Sequence, residues 1–204
     1  DDDGVAVEGK AADLRETLVG EERRHVRAAH AVVAEVRAVG RAALNDALGV
    51  SLGAGSGWEQ TTVALHTPTA QMDSALALMA DVALHPAFVS QDLERVRKAR
   101  LTALQQQRDR APTIADRAYA AALYGNDNPY GRPLAGTELS LAALTRDDLV
   151  RFYTTYFRPN NATLLVVGDV KPDDIARRAQ AVFGGWARGE VPAAATTGVP
   201  RAGA

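Results

Sequence analysis

From Leu144 to Val170 the chain runs LTRDDLVRFYTTYFRPNNATLLVVGDV, and this stretch leaves little freedom in what it folds into. Thr145 is a good helix N-cap, and Asp147 and Asp148 fall in the first turn, where the positive end of the helix favours acids. Leu149, Phe152, Tyr153 and Tyr156 recur at helical spacing, so one face of that helix is apolar. Arg158-Pro159-Asn160-Asn161 breaks the helix, because Pro159 restricts the residue before it and the two Asn suit a turn. Thr163 to Val167 is a continuous β-branched and leucine run, which predicts a buried strand. Gly168-Asp169 ends the run, and Pro172 opens another helix where a missing N–H costs least.

The rest of the chain supplies more of both element types. Gly4–Gly9 is expected as a short strand. Helices are expected over Ala11–Val19, Glu21–Val39 and Arg41–Leu48, each followed by glycine. Val50–Ala54 and Trp58–Thr67 alternate as strands do, and Gly53-Ala54-Gly55-Ser56-Gly57 is expected to join them as a hairpin. A helix from Thr69 or Ala70 to His85 turns Leu76, Met79, Ala80 and Ala83 inward. Ser90 is expected to cap the next helix, to about Asp109, with Leu93, Val96, Leu101 and Leu104 as its inner edge. Pro112 starts a helix to about Tyr124, Gly125–Gly136 is loop, and Leu139–Leu144 is one helical turn. A last helix ends at Phe183. Strands and helices in this order, without regular β-α-β alternation, predict an α+β fold: two layers, a mostly antiparallel sheet covered by helices. The expected organisation is an N-terminal segment over 1–43, a module over 44–186 and a Pro-, Gly- and Ala-rich linker or tail over 187–204.

Composition excludes several functions. The chain has 204 residues, a net charge of −2, 24% charged residues and no cysteine. That charge balance points to no nucleic acid partner, and no apolar run reaches the roughly 18 residues of a membrane span. Without cysteine there is no disulfide, thiolate nucleophile or cysteine-bound zinc. A soluble protein, of cytoplasm or periplasm, is expected.

The search for chemistry returns mostly absences. His25 and His30 are five apart, so on one helix they point about 140° away from each other. Glu21 and His25 make a surface pair, and His85 reads as a cation closing the negative end of its helix. The run Arg95, Arg97, Lys98 and Arg100 reads as a solvated face beside Asp92 and Glu94. Gly53–Gly57 lacks a P-loop lysine and precedes a strand, no G-x-S-x-G occurs, and Asp147, Asp148, Asp173 and Asp174 read as helix starters.

Several motifs, in order, resemble one family. NPYGRPLAGTE (Asn128–Glu138), the Leu144–Val170 stretch, FGGW (Phe183–Trp186) and the helix pair LALMADVALHPAFVSQDLERVRKARLTALQQQRD (Leu76–Asp109) are similar to the insulinase or pitrilysin (M16) zinc peptidases. Within it they look like the short bacterial type related to mitochondrial processing peptidase. Active members of that family carry H-x-x-E-H on a helix, whose two His share one face and one Zn²⁺, and a further Glu ligand on a later helix. This chain contains no H-x-x-E-H; the corresponding helix reads HVRAAHAVVAEVRAVG. The family pattern L-E-E-I falls on Leu101-Thr102-Ala103-Leu104, so Ala103 stands where the ligand Glu belongs. The resemblance therefore implies no catalytic and no metal-binding residue here, and no cofactor in this chain. It implies a non-catalytic M16 peptidase-like module or subunit, with a zinc-bearing partner that carries the metal. Together they would enclose a peptide held in extended form at a sheet edge. Two alternatives stand beside it: a structural assembly protein of the same fold, or a metallopeptidase using an unusual set such as Glu21, His25 and His30.

Overall fold

A computed structural model describes residues 50–126 and 128–193. The strand expected at Gly4–Gly9, the helices expected between 11 and 48, and with them Glu21, His25 and His30, lie outside the described residues.

Two strands open the described part. β1 (Ser51–Ser56) and β2 (Thr61–His66) form an antiparallel hairpin with Ser51 opposite His66 and Ser56 opposite Thr61. The expected connection through Gly53–Gly57 sits too early. Gly53, Ala54, Gly55 and Ser56 belong to β1, and Gly57–Gln60 makes the turn, closed by the Gly57 N–H donating to the Gln60 carbonyl at 2.8 Å. Ala64 and Thr62 stand opposite the two glycines, and pairing along β2 holds them extended, overriding their turn preference.

Six α-helices follow among the described residues: α1 (Met72–Leu84), α2 (Ser90–Gln106), α3 (Ala111–Tyr124), α4 (Glu138–Ala143), α5 (Arg146–Tyr156) and α6 (Pro172–Phe183). α1 is buried more broadly than one stripe, through Ala75, Leu76, Leu78, Ala80 and Val82, because it packs against both β2 and α6. Ala75 and Leu78 meet Val50, Leu52 and Leu65 in a small core beneath the hairpin. Ser90 does not cap α2; it is the first helical residue, after Val89, whose side chain gives no capping bond. The expected inner edge of α2 holds: Leu93, Val96 and Leu104 are buried, with Leu101 packed beside them.

The larger core is helical. Phe88, Leu93, Val96 and Leu104 pack against Leu141, Leu144, Leu149 and Phe152, so α2 closes on α4 and α5. Three polar struts cross this layer. The Tyr153 hydroxyl donates to the carbonyls of Ala83 and Leu84 at 3.0 and 2.9 Å, satisfying the end of α1. The Arg146 Nε donates to the Phe88 carbonyl at 2.9 Å. Arg97 donates to the Leu144 carbonyl and pairs with Glu94 at 2.5 Å, so it is no part of a solvated basic face. At the surface, Arg178 joins α6 to Asp73 of α1; the Asp73 hydrogen bond pushes that guanidinium above its usual value.

α5 begins as expected. The Thr145 hydroxyl accepts from the Asp148 N–H at 3.2 Å, and the Asp148 carboxylate accepts from the Thr145 N–H at 2.8 Å. This reciprocal box satisfies two orphan donors. Thr145→Ala is expected to cost about 1 kcal/mol, measured by urea unfolding.

The expected buried strand at Thr163–Val167 is corrected. The run is not in a strand, and Leu165 and Val167 are 83% and 89% exposed. A β-forming run becomes a buried strand only when neighbours take its hydrogen bonds and cover its faces. Among the described residues β1 and β2 pair only with each other, and no strand lies beside 163–167.

Candidate functional site

Thr102 and Ala103 are exposed on α2, two residues and one residue before buried Leu104. A methyl group has no lone pair to offer a cation, so the site does not fit zinc at this position. The neighbouring glutamines do not replace it; Gln107 accepts a hydrogen bond from Arg117 at 2.9 Å and is engaged in holding α3 to α2. Among the described residues no three His, Asp or Glu side chains stand close enough to share a metal ion. His66 is exposed at the end of β2. His85 caps α1, its N–H bonded to the Asp81 carbonyl and its Nδ1 3.5 Å from the Asp81 carboxylate.

The hairpin is the more developed surface. β1 pairs with β2 on one side only, so its other edge faces no described strand. Its outward positions carry Ser51, Gly53 and Gly55, and a Cβ built on either glycine would meet nothing within 4 Å. Among the described residues nothing pairs with this edge, and an unpaired strand edge is what an incoming extended chain requires.

An unexpected contact fixes the tip of this hairpin. The Trp58 ring lies 5.5 Å from Tyr130, which lies 5.6 Å from Tyr124. The Tyr130 hydroxyl donates to the Glu59 carboxylate across 71 residues of chain. Tyr130 is itself held, because its N–H donates to the side chain of Asn128, which is only 6% exposed. Gly131 is obligatory beside it, since a Cβ there would stand 2.0 Å from the Gly125 carbonyl oxygen. Arg132 donates to the Asn126 carbonyl at 2.6 Å, so the loop cluster of Tyr130 and Arg132 fixes both the loop and the strand tip. Trp58 and Glu59 were not singled out by sequence, and nothing local marks them.

Two grooves flank these elements. One, of about 290 Å³, lies between the end of α2 and the 133–139 segment, lined by Leu104, Arg108, Arg117 and Glu138, with Arg108 and Glu138 paired at 2.7 Å. The other, of about 600 Å³, runs between 164–170 and Ile175, Ala176 and Ala179 of α6, with no charged residue in its lining.

A helical layer over an antiparallel hairpin defines the class as an α+β module. The chain belongs to peptidase family M16: residues 40–138 match the model "Insulinase (Peptidase family M16)" and residues 143–202 match "Peptidase M16 inactive domain". The break between the two models falls within α4, yet the main core takes residues from both sides of it. A zinc protease of Mycobacterium leprae is 31% identical over 139 residues, covering 68% of this chain and 31% of that protein. The probable beta subunit of the mitochondrial-processing peptidase of Schizosaccharomyces pombe is 25% identical over 67% of this chain and 30% of its own length. A crystal structure of a peptidase M16 inactive domain from Pseudomonas fluorescens superposes with a TM-score of 0.70 at 25% identity, covering 82% of this chain and 42% of that one. The chain therefore spans about a third of the length of the curated relatives it matches, 30% to 36%. No described helix is long and apolar enough to cross a membrane.

Proposed function

We propose that this chain is a non-catalytic M16 module that pairs with a zinc-bearing M16 partner and helps hold extended peptide substrates. The observation that carries the reading is Ala103, an exposed methyl at the place on α2 where the family pattern sets a carboxylate ligand. The zinc and the bond cleavage belong to the partner. This chain contributes wall and grip: the open edge of β1 takes the peptide main chain, and its glycines keep the approach clear.

The test mixes the full chain with a zinc-bearing M16 partner and follows complex formation, zinc content and cleavage of a fluorogenic peptide. The complex is expected to cleave faster than the partner alone, with all zinc on the partner. One tightly bound zinc in this chain, or peptide turnover by it unaided, would overturn the reading. The double variant Gly53→Val, Gly55→Val adds side chains into open space, so its melting temperature should stay near that of the parent. Peptide affinity of the complex should fall about tenfold, equivalent to about 1.4 kcal/mol. Unchanged affinity would remove β1 from the peptide site.

A further inference from the structure

The polypeptide after α6 turns back on the body instead of leaving it. The Asn160 side chain, in the turn after α5, donates its Nδ2–H to the Gly189 carbonyl at 3.0 Å and accepts from the Gly189 N–H at 3.2 Å. One side-chain amide thus offers Gly189 the donor–acceptor pair that a neighbouring strand would offer. Approach at this point is close. A Cβ on Gly189 would stand 2.8 Å from the Arg158 Nε and 3.1 Å from its Cδ and Cζ. The same Arg158 Nε is buried and has no hydrogen-bond partner, as expected of a guanidinium covered by a chain lying across it. The Trp186 N–H donating to the Phe183 carbonyl at 2.9 Å makes the bend that brings the chain there.

We propose that Asn160 and Arg158 form a clasp that straps the chain to the body at Gly189, so that whatever follows departs from the turn after α5 and not from the end of α6. The bonds are few and lie at the surface, so the strap has two accessible states, seated and released, and the close approach to Arg158 favours glycine in the seated one. Release frees the segment from Trp186 onward without disturbing either core.

The Arg188–Gly189 bond lies inside the clasp and is a trypsin site, which makes the strap measurable in the full chain. Brief trypsin treatment is followed by mass spectrometry, and each cleavage rate at Arg188 is divided by that of a short synthetic peptide of the same sequence. In the parent protein the bond should be cut far more slowly than in its peptide. Asn160→Ala removes both hydrogen bonds, and Gly189→Ala crowds the Arg158 side chain against the strap. Each should raise the normalised rate about tenfold, as loss of two modest surface bonds implies. Asn160→Asp keeps the acceptor and loses the donor, and should fall between. Circular dichroism melts should match the parent, since Asn160 is exposed and outside both cores. Parent cleavage as fast as the peptide overturns the clasp. So does an Asn160→Ala rate equal to the parent's in a protein with an unchanged melt. Should a variant melt earlier, amide exchange at Gly189 in the parent decides: slow exchange supports the strap and exchange at the free-peptide rate overturns it.

Discussion

Leu149→Ala should lower the unfolding free energy by about 3 kcal/mol, within the roughly 2–5 kcal/mol span for deleting a buried leucine. Leu149 has 0% exposure and sits where α5 meets α2 and α4, so the side chains around the resulting cavity come from three helices. They cannot all move in to fill it, which places the cost well above the bare transfer term. Urea unfolding followed by circular dichroism measures this, with the m-value unchanged if only stability has altered. Leu139→Ala is the control: the residue is 84% exposed on the neighbouring helix and should change stability by less than about 0.5 kcal/mol. A loss below about 1 kcal/mol for Leu149→Ala would mean that the α2–α4–α5 layer is not packed as described.

Phe88 combines burial with strain. It is 4% exposed, packs edge-on to Tyr153 at 5.7 Å, and holds φ at +46° although it carries a Cβ. Such a backbone costs about 1–2 kcal/mol and persists only where the surroundings enforce it. Arg146 bonded to the Phe88 carbonyl is part of that enforcement. Phe88→Ala is expected to cost about 3–5 kcal/mol, since the ring is lost and the strain remains. Phe88→Gly loses the same ring but relieves the strain, offsetting the roughly 0.5–1 kcal/mol entropy that glycine usually adds. The two variants should therefore unfold at similar urea midpoints, with glycine no worse than alanine. Glycine being clearly worse would show that the left-handed backbone is not enforced in solution.

Sequence carried the helical layer well because its signals are local. The Thr145 cap, the Leu149–Phe152 stripe and the Leu93–Val96–Leu104 edge are all set within a turn or two of chain. It failed where tertiary partners decide. The glycines of β1 look like a turn until Ala64 and Thr62 are placed across from them. The run 163–167 has the composition of a buried strand, but composition does not supply a neighbour. Arg97 looked like one of four solvated cations, and only the position of Leu144 shows otherwise. At the candidate site, the helix that carries Ala103 was legible from its periodicity. The Trp58–Tyr130 contact was not, because aromatic residues so far apart in sequence announce nothing about each other.

That contact makes the molecule its own optical probe. The chain holds two tryptophans, Trp58 at the hairpin tip and Trp186 after α6. Tyr130 and Tyr124 form a short relay that funnels excitation into the first indole. With Trp186 replaced by phenylalanine, the remaining emission reads the seating of the hairpin on its loop in real time, with no dye attached.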